Sequence, residues 1–200
     1  MSTILDLIGA TVIGMLLLLS AFRYWSNMSE EAAFLNEERI VQSNVTALAE
    51  VFEHDLRKIG YLKGSKLDPH DPIIRTPTDS THLTFLADLN DDGTIDTVSY
   101  FLGPLGEVPW SPQHPFRVLY RQVKSANPYC TSQPVGSHLG LSHLHFGYYK
   151  LNGDTAAVLG DIKIIEVTLR VENPYAYASS DRRAVAFWQQ KRLVGRNLRR

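Results

Sequence analysis

The chain has 200 residues, with 20 Lys or Arg against 21 Asp or Glu and a formal net charge of -1. That length suits one ordinary domain plus an appendage, and the near-neutral balance excludes the broad basic face through which nucleic-acid-binding proteins work, so no nucleic-acid partner is expected. The charge is unevenly spread: Ile4 to Phe22 holds only Asp6, whereas Lys191 to Arg200 holds five Lys or Arg. Cys130 is the single cysteine, so no intramolecular disulfide forms, and its polar surroundings contain no base to lower its pKa and make it a nucleophile.

In chain order, Leu7 to Phe22 is an uncharged run of 16 residues, close to the roughly 20 needed to cross a bilayer core as a helix. No Lys or Arg precedes it and no small-residue cleavage site follows, which favours a retained segment over a cleaved signal. From Ser29 to Ile59 there is no proline or glycine, and Phe34, Ile40, Val41, Val45, Leu48, Val51, Phe52, Leu56 and Ile59 recur at three-to-four spacing. This predicts an amphipathic helix continuous with the apolar run, ended by Gly60 with Arg57 and Lys58 in the last turn; a plain anchor helix followed by a separate short helix is the other reading, and the unbroken length favours the first. The chain then divides into a transmembrane or filament-core helix over 1–28, its amphipathic continuation over 29–60, and a β-rich soluble head over 61–200.

Within the head, His82 to Leu86, Asp96 to Leu102, Phe116 to Val123, Asp161 to Val171 and Ala184 to Arg192 read as strands. The fourth places Ile162, Ile164, Val167 and Leu169 near one face, with a slip at Ile164-Ile165 that suggests a bulge or two-sided burial. The predicted class is α+β: one long N-terminal helix packed on an antiparallel sheet. Pro72, Pro77 and the stretch Glu107 to Pro115 around Trp110 read as surface loops suited to a partner.

Asp88-Leu-Asn-Asp-Asp-Gly-Thr-Ile-Asp96 is the most specific local motif. Asp88, Asn90, Asp92 and Asp96 put side-chain oxygens at the first, third, fifth and ninth positions, with Gly93 sixth and the Thr94 carbonyl as a further oxygen, the spacing of a calcium loop. Ser99 occupies the twelfth position, where an EF-hand carries its bidentate Glu, and strands rather than helices flank the loop. The same residues read equally well as a plain hairpin turn. His143 and His145 share one strand face, with His138 close in sequence, but no acidic or Cys ligand follows at zinc spacing. No nucleophile elbow, phosphate loop or HExxH motif is present, so no enzyme is expected.

Asp6 admits two readings: a carboxylate in the headgroup region at a helix N-terminus, or one that pairs with the terminal amine of a neighbouring chain. Ser2-Thr-Ile-Leu-Asp-Leu-Ile resembles the start of mature type IV pilins and pseudopilins, with Asp6 fifth if Ser2 is first. Asp replaces the family's Glu, and the first position is not aromatic. Asp55-Leu-Arg-Lys-Ile-Gly-Tyr, the hairpin around Asp88 to Tyr100 and the closing Val194-Gly-Arg-Asn197 are similar to minor pilins of the W type and to J-type pseudopilins of type II secretion.

The resemblance implies a filament subunit, with its helix in the filament core and its head exposed, and an assembly role for Ser2 and Asp6. It implies other pilin or pseudopilin subunits and inner-membrane assembly machinery as partners. The location it implies is the cytoplasmic membrane as a single-pass protein with the head outside the cytoplasm, then an extracellular or periplasmic filament. A single-pass membrane-anchored binding domain that never polymerises is the alternative. The expected cofactor is calcium at the Asp88 to Asp96 loop or none.

Overall fold

The computed structural model describes residues 2–64, 67, 72–75, 80–107, 116–125, 135–136, 140–172 and 185–193. Cys130, His138, residues 108–115 and the tail from Val194 lie outside that set, as do the expectations attached to them. The architecture is α+β. One helix, α1 (Ser2–Arg57), precedes β1 (Leu83–Ala87), β2 (Asp96–Leu102), β3 (Leu119–Lys124), β4 (Val135–Gly136), β5 (Gly140–Tyr149), β6 (Ile164–Glu172) and β7 (Val185–Leu193).

Over its 56 residues α1 extends about 84 Å at the ~1.5 Å rise of an α-helix. Only its C-terminal part meets the head. Val41, Val45, Ala49, Phe52 and Leu56 are buried at three-to-four spacing, followed by Ile59 just beyond the helix. Gly60 ends the element as expected: its φ of 68° is a left-handed conformation that glycine adopts without a Cβ clash. The Gly60 N–H then donates to the Leu86 carbonyl at 2.8 Å, joining the helix end to β1.

The strands form two antiparallel sheets, ordered β1-β2-β3-β4 and β5-β6-β7, rather than the single sheet read from the sequence. A bridge between Arg117 and Leu141 connects them. The split is physical: Phe52 of α1 stacks on Tyr100 of β2 at 4.4 Å between centroids and meets Phe146 of β5 edge-on at 6.2 Å. One aromatic side chain of the helix thus plugs the cleft between two sheets, and both inner faces supply the same core.

The sequence pattern marks no separate strand over β5, although it puts His143 and His145 on one strand face, where they stand. In β6 the inward residues are Ile165, Val167, Leu169 and Val171, so Ile164 lies on the opposite face from the one expected. Ile162 is buried just ahead of the strand and regular alternation begins at Ile165, so the break in the pattern falls between those two residues; the register slip against β7 between Ile165 and Val167 places its extra residue in β7.

Candidate functional site

Two features carry chemistry. The first is the free part of α1. Asp6 is exposed and its neighbours Ile4, Leu5 and Leu7 are 64%, 69% and 66% exposed. The most apolar 18-residue window has a mean hydropathy of 2.2 and none of it is buried, so this helix is long and apolar enough to cross a membrane. Around Gly9 and Gly14, the local helix backbone and chain neighbours aside, nothing lies within 4 Å of where a Cβ would stand. The exposed apolar surface continues beyond a bilayer's depth through Leu35 and Ile40. Ser2 opens the helix four residues ahead of Asp6, a little more than one helical turn.

The second is the β1–β2 connection. Ala87 and Asp96 form the last pair of the ladder, so the eight residues between them, 88–95, are its loop. Asp88 and Asp96, 0% and 2% exposed, stand at the two feet of the loop, whereas Asn90, Asp91, Asp92 and Thr94 are exposed at its tip. Asp88 Oδ2 accepts the N–H groups of Gly93 (3.0 Å) and Lys63 (3.2 Å), and its Oδ1 accepts the N–H of Asp92 (3.2 Å). Asp96 Oδ2 accepts the Leu89 N–H at 3.2 Å, and Asp96 Oδ1 is buried without a hydrogen-bond partner.

At the tip, Asn90 Nδ2 donates to Asp92 Oδ2 at 2.8 Å, and Asp92 Oδ1 accepts from the backbone N–H and the hydroxyl of Thr94. The Thr94 hydroxyl, and next its backbone amide, hold the Asp92 carboxyl below the usual carboxylate range. Asp91 and Gly93 have φ of 59° and 82°, the turn that brings the oxygens round. The motif therefore folds as a hairpin turn whose side-chain oxygens follow the loop. Among the described residues no group of three or more His, Cys, Asp or Glu is gathered closely enough to hold a metal ion as it stands.

The loop is tied to the helix end. Lys58 Nζ donates to the Leu89 carbonyl (2.7 Å) and Asp91 Oδ1 (3.2 Å), and Lys63 Nζ donates to the Asp91 carbonyl (2.8 Å). Deeper in the same seam lies a group that sequence reasoning missed. Asp55, 1% exposed, accepts from the Tyr100 hydroxyl at 2.6 Å and from Arg121 Nε (2.6 Å) and Nη2 (3.1 Å). Burial, then the Asp55 carboxylate beside it, pushes the Tyr100 phenol far above its ordinary 10.0. The available signal was an acidic residue on the apolar stripe of α1, one place before Leu56. The group fixes the helix to β2 and β3.

His143 and His145 are exposed on β5 with parallel rings 6.4 Å apart, opposite Arg170 and Thr168 of β6. Arg170, which faces His143 in the ladder, is ion-paired with Glu172 at 3.0 Å.

Compared with known proteins, the chain matches no family model, no curated protein and no solved structure. What fold and site define is a class: an α+β protein with a long, largely bare apolar N-terminal helix and a two-sheet head.

Proposed function

We propose that the chain is a minor pilin or pseudopilin-like subunit of a type IV filament, either a pilus or the pseudopilus of type II secretion. One observation carries the reading: α1 is continuous for 56 residues, yet the first residue fully buried by the head is Val41. About 60 Å of helix therefore precedes the head, twice the ~30 Å hydrocarbon core of a bilayer. An anchor needs only the first half of that length. The second half, with Leu35 58% and Ile40 44% exposed, calls for protein neighbours, and equivalent helices of other subunits would supply them.

In this reading the subunit waits in the cytoplasmic membrane with its head outside the cytoplasm. Entry into the filament exchanges lipid contacts for helix contacts, with Gly9 and Gly14 allowing close approach. Asp6 then pairs with the terminal amine of a neighbouring subunit, because a carboxylate among apolar side chains is costly without a counter-charge. The membrane assembly machinery and other pilin-like subunits are the partners, and no catalytic step is assigned. Replacing Asp6 with Ala tests the register. A filament subunit loses incorporation into sheared filaments while its membrane level is unchanged; a single-pass anchored binding domain is indifferent to the change.

A further inference from the structure

We propose that the β1–β2 loop is a calcium site, held by Asp88, Asn90, Asp92, Asp96 and the Thr94 carbonyl, that fastens the head to the end of α1. It concerns the head alone and stands whether or not the helix enters a filament.

Spacing suggested the site, but the buried feet of the hairpin make the case. Asp88 and Asp96 are carboxylates removed from water, and among the described residues no cationic side chain pairs with either. The nearby lysines are otherwise engaged: Lys58 on Leu89 O and Asp91 Oδ1, Lys63 on Asp91 O. Among the described residues the Asp88 carboxylate is held by backbone N–H groups, which satisfy its oxygens without balancing its charge. Asp96 is turned into the loop by the bond its Oδ2 accepts from Leu89 N–H, and its other oxygen has no partner. A buried carboxylate oxygen without a donor is a defect unless a water or cation completes it, and only a cation also balances the charge.

The other donors stand in sequence beside it. Asn90 and Asp92 are exposed and bonded to each other, so Asp92 can exchange the Asn90 Nδ2 bond for a cation without disturbing the core. Three carboxylates, an amide oxygen and a main-chain carbonyl supply five oxygens, which a carboxylate binding through both oxygens or an added water brings to the six to eight of calcium; so flexible a set suits calcium better than magnesium with its strict octahedron. Without the bidentate twelfth-position ligand, affinity falls in the weak range of extracellular modules, a Kd of about 0.1–1 mM.

Closing the loop on a cation also has a route to the helix. Asp88 donates its N–H to the Tyr61 carbonyl at 2.9 Å and accepts the Lys63 N–H, so a fixed Asp88 fixes the chain that leaves α1.

The test is thermal unfolding of the full chain in detergent micelles with calcium chloride, magnesium chloride or chelator, on wild type, Asp92→Ala and Asp96→Asn. The wild type should melt about 5 °C higher in ~10 mM calcium than in chelator, with less than about half that shift in equal magnesium. Asp92→Ala changes an exposed side chain, so it should fold and lose the calcium shift. Asp96→Asn, where folded, should melt in chelator at or above the wild-type temperature, since a buried charge is gone, and should also lose the shift. No calcium shift in the wild type, an equal one with magnesium, or one that persists in Asp92→Ala overturns the proposal.

Discussion

Asp55 concentrates the problem of joining a helix to a sheet in one side chain. A carboxylate on the apolar stripe of α1 must be desolvated when the head folds, and it is accommodated because Arg121 approaches it with two nitrogens and Tyr100 with a hydroxyl. Asp55→Asn keeps the shape but strands a half-buried guanidinium, so it should cost about 2–4 kcal/mol in chemical unfolding of the head. A cost below about 0.5 kcal/mol would mean that the pair merely coexists with the fold. Tyr100 gives the same seam a pH signature. Its folded pKa lies above the unfolded 10.0, so its contribution is complete below that pH and declines as pH rises beyond it, where only the unfolded chain ionises. In a spectrophotometric titration of the nine tyrosines, one phenol should stay protonated until the head unfolds. Titration of all nine before unfolding would contradict that burial.

Among the elements, α1 was the most legible in sequence because its two signals are strong and local: an uncharged apolar run, then three-to-four spacing without Pro or Gly. Its end at Gly60 was equally legible, since a glycine after a cationic last turn has few other uses. Gly60→Ala places a Cβ at a φ of 68° and should destabilise the head by about 1 kcal/mol, measured by chemical unfolding, with Asn milder than Ala. An alanine as stable as glycine would show that the left-handed turn is not required.

Strands were less legible. β2 was read to the residue, but β6 was read in the wrong register at its start, because two adjacent isoleucines satisfy either face until a partner strand chooses. The division into two sheets left no local trace, since it depends on Phe52 meeting Tyr100 and Phe146 from distant parts of the chain. The loop was legible as a turn between strands, yet spacing could not reveal that its two feet are buried while the tip is exposed.

For the whole molecule, the defining fact is an imbalance: a head that buries its own core thoroughly, and a helix of which about two-thirds carries apolar side chains that the chain leaves uncovered. A bilayer can cover roughly half of that bare length. The filament reading covers the rest by repetition, each helix lying among its copies or near relatives, with heads outward and Asp6 setting the register. The most direct test is to shear filaments from cells that make this chain natively and to measure its intact mass in that fraction. The account predicts the chain there, with a mass showing Ser2 as the first residue and Asp6 therefore fifth. Finding it only in the membrane fraction while filaments are abundant would contradict the account and favour an anchored binding domain.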